Sequence, residues 1–186
     1  MSITSAKTGS TSLSLALENN FMEPIASTLV GSGGVNNITF NDIPQTYKHL
    51  QIRGIVRCSV ASDNILIRFN KDGATNYSWH VLRGDGANAT ATWVGPTSAG
   101  ELGWTTYSGL TSNAFGAMII DILDYGNSLK TKTVRTYGGG DTNGGGLMTL
   151  NGALWKSLDP INSITINMGS GNFTEYSRLS LYGIKG

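Results

Sequence analysis

Leu50-Gln51-Ile52-Arg53-Gly54-Ile55-Val56-Arg57 decides how the rest of the chain is read. Leu50, Ile52, Gly54 and Val56 fall on one side of this stretch, and Gln51, Arg53, Ile55 and Arg57 on the other. Side chains alternate across a strand with a period of two, so the pattern predicts a half-buried β-strand. Ile65, Ile67 and Phe69 repeat the period. Tyr77, Trp79 and Val81 repeat it again, with His80 on the opposite side and Trp79 directed to the core. Between these two runs, Asn70-Lys71-Asp72-Gly73 has turn chemistry, with Gly73 suited to positive φ.

Working outward, further strands are predicted at Asn37–Phe40, Thr131–Thr136, Leu147–Trp155, Ile161–Asn167 and Arg178–Ile184. His49 opens the Leu50 strand. Phe115–Leu123 is nearly all apolar, which predicts a strand buried on both faces. Gly138–Gly146 reads as a glycine-rich loop. No sustained helical stripe is found. Short strands separated by Gly, Asn and Asp turns predict an all-β fold, a single antiparallel β-sandwich of jelly-roll-like form. Residues 21–186 form this domain. Residues 1–20 form an extended N-terminal arm, in which Leu13, Leu15 and Leu17 alternate as a segment laid on a partner surface would.

The composition narrows the function classes. Only 13% of residues are charged and the net charge is +1, well below the roughly 25% charge of an average soluble domain. A nucleic-acid surface needs clustered Lys and Arg, so no nucleic-acid partner is expected. Ser, Thr, Asn and Gly take the place of charge, which lowers the desolvation cost of protein–protein contact. No signal-peptide pattern occupies Ser2–Gly9, and no apolar run is long enough to span a membrane. Cys58 is the single cysteine and reads as a small buried hydrophobe.

Catalytic patterns are lacking. Gly31-Ser32-Gly33-Gly34 and Gly138-Gly139-Gly140 are not followed by the Lys-Ser/Thr and helix of a phosphate loop. His49 and His80 have no third ligand at zinc spacing and no serine elbow. Asp72 and Asp85 sit in turns. Asp121 and Asp124 flank the end of the most apolar strand, where loop amides or Arg135 would satisfy them. No enzyme activity, cofactor or metal is expected. Trp93, Trp104 and Tyr107 lie in the aromatic-rich middle of the chain, Trp93 and Trp104 in a loop-rich region between strands. There they would serve as interface anchors or as contacts to a host glycan.

Several phrases are similar to those of a known family. They are Phe40-Asn41-Asp42-Ile43-Pro44-Gln45-Thr46-Tyr47-Lys48-His49-Leu50, Ile67-Arg68-Phe69-Asn70, Asn76-Tyr77-Ser78-Trp79-His80, Ile120-Asp121-Ile122-Leu123-Asp124-Tyr125 and Leu179-Ser180-Leu181-Tyr182-Gly183-Ile184-Lys185. The chain resembles a family of structural virion proteins of tailed bacteriophages, including marine phages and cyanophages. The resemblance implies a jelly-roll-like sandwich on the particle exterior or tail, and it carries no catalytic residues with it. The expected role is a capsid decoration or cement protein that binds other virion proteins, with a homo-oligomer such as a trimer as the assembled form. A tail, neck or fibre component with host-glycan binding is the alternative.

Overall fold

The computed structural model describes residues 21–61 and 64–186. Its strands are β1 Met22–Leu29, β2 Asn37–Phe40, β3 His49–Cys58, β4 Ile65–Phe69, β5 Tyr77–Gly84, β6 Ala89–Thr97, β7 Gly100–Gly103, β8 Thr106–Tyr107, β9 Gly116–Leu123, β10 Lys132–Asp141, β11 Gly146–Trp155, β12 Ile164–Met168 and β13 Arg178–Ile184. The described residues contain no helix, and therefore none long and apolar enough to cross a membrane.

The strands form two sheets. The large one runs β1-β13-β3-β9-β10-β11-β5-β6, with the short β8 pairing parallel to the end of β3. The small one runs β2-β12-β4-β7. Every other pairing is antiparallel. The sheets pack face to face as a β-sandwich, as the alternating sequence predicts.

The core follows from the period of two. From β3, Leu50, Ile52, Val56 and Cys58 are fully buried. They meet Ile120 and Ile122 of β9, Leu179 and Leu181 of β13, and Ile65, Ile67, Phe69, Ile164 and Ile166 of the small sheet in one hydrophobic cluster. An aromatic group anchors one side. The Phe69 and Trp155 rings lie 5.4 Å apart, and Tyr77 stacks near Trp155 at 6.3 Å. The Tyr77 hydroxyl accepts the Phe69 N–H at 2.9 Å, and burial pushes its pKa up to about 12.

Four local expectations change. β9 is buried on one face only: Met118, Ile120 and Ile122 point inward, while Ile119 and Leu123 are exposed. Gly138–Gly140 belong to β10, and only residues 142–145 form the turn into β11. A side chain at Gly138 would press on the Ala117 carbonyl and Met118 Cβ, both 3.0 Å from its place, so the close strand approach favours glycine. In the β4–β5 turn, Asn70 and Lys71 take positive φ, rather than Gly73. With the Asp72 N–H donated to the Phe69 carbonyl, this is a primed turn, and it carries the chain from the small sheet into the large one rather than into a hairpin. Finally, Arg57 leaves the solvent phase of β3. Its guanidinium is drawn in by the carbonyls of Leu110, Thr111 and Ala114.

Candidate functional site

The strand register carries outward-facing side chains into rows across the large sheet. One row joins Ile119 of β9, Tyr137 of β10, Leu150 of β11, Leu82 of β5 and Ala91 of β6 as successive cross-strand partners. Ile119, Tyr137, Leu150 and Leu82 are 42%, 57%, 46% and 51% exposed. Met148 lies in the next row, between Gly139 and Gly84. On the other side runs the row Gln51, Asp121, Arg135, Gly152, His80, Trp93. The result is an apolar band on solvent, bordered by a polar band. A contiguous exposed apolar surface of this kind marks an interaction site more often than scattered apolar residues do.

Two shallow depressions indent the band. One, of about 420 Å³, lies over Gly152 and is lined by His80, Leu82, Ala91, Arg135 and Leu150. The other, of about 410 Å³, lies over Gly139 among Ile119, Tyr137 and Met148. Gly152 has no positive φ, and a Cβ there would meet nothing within 4 Å. Nothing inside the fold requires glycine at this place, although a mid-strand glycine weakens a sheet. Its effect is to hold the floor of the depression open.

The polar band is tied together at its β3 end. Gln51 donates to Asp121 Oδ1 at 2.8 Å, and Arg53 Nε donates to Gln51 Oε1 at 2.8 Å. The Arg53 guanidinium also lies 5.8 Å from the centre of the Tyr182 ring. At the far end the His80 and Trp93 rings stack with centroids 6.0 Å apart.

The sequence candidates fall into different places. Trp93 is inside β6 rather than in a loop and is 62% exposed. Trp104, between β7 and β8, and Tyr107, in β8 beside β3, are both half-buried. The structure does not bring the three together: β9, β10, β11 and β5 separate β3 from β6. His80 faces solvent and Trp79 packs on the core, as read from the sequence. Leu13, Leu15 and Leu17 lie outside the described residues.

The acidic candidates are held by local partners. Asp124 pairs with Lys130 at 2.9 Å and Lys48 at 3.3 Å, and these two ammonium groups hold its carboxyl below the usual range. Its amide donates to His49 Nδ1. Asp72 accepts from Asn76, from the Trp155 indole and from the Ala74 amide, which lowers its pKa in that order. Asp85 caps the amides of Asn88 and Ala87 with the same effect. Among the described residues no three His, Cys, Asp or Glu side chains gather as a metal site. Cys58 is buried and donates to the Ser170 carbonyl.

Two interior features escape a reading of the sequence. Lys132 is fully buried, its ammonium held by the carbonyls of Asn127, Lys130 and Leu158. Burial lowers its pKa. Toward β7, Arg83 pairs with the buried Glu101 at 2.6 Å. Neither feature opens onto the apolar band, and neither has a signal in sequence pattern: the Lys132 partners are backbone carbonyls, two nearby and one from Leu158, and Arg83 and Glu101 lie on separate strands.

No protein-family model matches the chain, nor does any curated protein or solved structure.

Proposed function

We propose that this protein is a non-enzymatic structural subunit of a tailed-phage virion that attaches to the head as a decoration or cement protein. The observation that carries the reading is the apolar band across the outer face of the large sheet. Burying it against another protein would remove apolar surface from water at about 25 cal/mol per Å², and few charges would lose their hydration. Repeated on a particle, such contacts add through avidity, so each can be modest.

The strand order supports the same reading. β1-β13-β3-β9 facing β2-β12-β4-β7 reads as a jelly-roll frame, a frame found in viral capsid and lectin domains. On this reading the hairpins β5–β6 and β10–β11 are additions that widen one sheet, and most of the apolar band lies on them. Self-association, with a trimer as the simplest symmetric form, belongs to the proposal.

One observation favours a second reading. The exposed Trp93 ring, stacked on His80 near Arg135, offers an aromatic face and a charged donor to a sugar. A tail, neck or fibre component that binds a host glycan would use such a platform.

The test is the number of copies per particle, measured by quantitative mass spectrometry against the major capsid protein. A count comparable to the capsid protein is expected for decoration. A small fraction of that count moves the protein to the tail and favours the glycan reading. Absence from purified particles overturns both.

A further inference from the structure

The two edges of the large sheet are built differently. β1 is protected in ways that natural edge strands commonly are. It carries Pro24, and its register shifts between Pro24 and Ala26. Glu23 is fixed there by Lys185 at 2.6 Å and by the Tyr47 hydroxyl at 3.0 Å. At the other edge, β6 has a proline and a register shift only at its end, past Val94. Ala89–Val94 has neither. No Asp, Glu, Lys or Arg occurs from Gly86 to Gly100. Residues 89–94 are exposed, and β5 is the one strand that pairs with β6 among the described residues. An uncharged edge with a free row of backbone N–H and C=O groups is a template for another strand.

The side chains of β6 specify what that strand should be. Ala89, Ala91 and Trp93 stand on the outer face, across from Gly84, Leu82 and His80; Thr90 and Thr92 stand on the other. The complement is a segment that alternates large apolar residues with small ones. Leu13-Ser14-Leu15-Ala16-Leu17 has that pattern. Placed beside β6, its leucines would face Ala89, Ala91 and Trp93 and extend the apolar band. Ser14 and Ala16 would meet Thr90 and Thr92, giving one hydroxyl pair and one contact between methyl groups. Apolar and hydroxyl cross-strand pairs of this kind each contribute to sheet stability.

Reach decides which copy supplies the segment. The arm joins the sheet at Phe21, beside β1, and seven strand spacings separate β1 from β6, about 34 Å along the sheet. Leu17 is four residues from Phe21, about 14 Å at full extension. The segment therefore falls short of its own β6.

We propose that Leu13–Leu17 of one copy adds as a further strand to the β6 edge of a neighbouring copy. The proposal rests on the assembly reading above and names its partner as a second copy of this chain. Because donor and acceptor lie at opposite edges of the sheet, the contact is head-to-tail, and it closes as a ring when the rotation permits. Leu15 is the centre of its segment and Ala91 the centre of the facing one, so the two pair whether the added strand runs parallel or antiparallel.

The experiment uses the full chain. A chain with Leu15→Cys is mixed with a chain carrying Ala91→Cys under mild oxidation; the buried Cys58 does not compete. The expected result is a heterodisulfide well above that of a control with Cys at the exposed Leu129. In a doubly substituted chain the bond should form between molecules. Thr92→Lys, which charges β6 away from the apolar band, and Leu15→Lys, in the arm, should each shift the oligomer seen by sedimentation toward monomer. An intramolecular disulfide, a heterodisulfide at control level, or an unchanged oligomer in both lysine variants overturns strand donation. Those results leave assembly through the outer face standing. Absence from particles is what overturns assembly itself.

Discussion

The two sheets turn opposite characters to solvent. On the small sheet the outer face of β2, β4 and β12 carries Asn37, Thr39, Arg68, Thr165 and Asn167, with the half-buried Leu66 as the one large apolar side chain among them. Four of the polar side chains bond in pairs: the Thr39 and Thr165 hydroxyls at 3.1 Å, and Arg68 donating to Asn167 at 3.2 Å. On the large sheet the corresponding side carries Ile119, Tyr137, Leu150, Leu82 and Met148, all substantially exposed. Both sheets bury the inner faces of their central strands, so folding alone does not account for the contrast. A polar face is sufficient for a sheet that ends at water. An apolar one gains free energy only when something covers it.

The contrast breaks if charge on the two faces has the same effect. Leu150→Asp places a carboxylate in the middle of the apolar band, where assembly would bury it. Association is expected to weaken by about 2 kcal/mol or more, roughly thirtyfold, as for the loss of an interface anchor. Folding stability should move by no more than about 1 kcal/mol, because the site is exposed. Asn37→Asp adds the same charge to the small sheet and should leave association unchanged. Sedimentation and thermal unfolding of both variants decide the matter. Equal loss of association would mean that the apolar band is not the contact.

Where the sequence is legible shows why this face is not. β3, β4 and β13 alternate strongly apolar with polar residues, so both the strand and its buried face follow from pattern alone. β9 does not alternate. Met118, Ile119, Ile120, Ile122 and Leu123 have similar hydropathy whether the second face meets a core or meets solvent, and hydropathy alone places both faces in a core. β6 is obscure for the opposite reason. Ala89-Thr90-Ala91-Thr92 alternates residues too similar in hydropathy to show a phase, and Gly86 and Gly95-Pro96 at its flanks read as loop. Trp93 stands out as a candidate contact, but the register that stacks it on His80 cannot be foreseen from a loop. Burial of Lys132 makes sense only once three carbonyls, two of them beside it in the β9–β10 connection and one from Leu158, are brought to its ammonium.

Glycines on the two faces of the large sheet sharpen the comparison further. Gly54 points inward, and a Cβ there would collide with the Leu179 side chain and crowd Met118. Gly54→Ala is expected to cost about 1–3 kcal/mol through overpacking. Gly152 points outward into open space, so Gly152→Ala should raise stability by about 0.5–1 kcal/mol, the ordinary gain for replacing a mid-strand glycine. It should weaken association slightly by shallowing the depression over β11. Denaturant midpoints test both signs. A Gly152→Ala variant as destabilised as Gly54→Ala would show that this side of the sheet is already packed.

The smallest effect is expected at the rim, where Asp124 sits at the end of β9 among Lys130, Lys48 and His49. Lys130 first, then Lys48, holds its folded-state pKa below the ordinary 3.8. A carboxyl with a depressed folded pKa adds stability above its unfolded value and loses it as the pH falls through the folded one. Unfolding midpoints of the native chain should therefore drop as the pH falls below about 3.8. Glu23, Asp72 and Asp85 are lowered as well and share in the drop. Asp124→Asn should be slightly less stable near neutrality and lose less on acidification. The effect is small because Lys130 and Lys48 are well exposed and water screens such pairs. Association at neutral pH should be the same in Asp124→Asn and the native chain, because the rim lies outside the apolar band. If the substitution weakened association as Leu150→Asp does, the contact would have to extend past β9 to the rim, and the division between an assembling face and a merely folded one would have to be redrawn there.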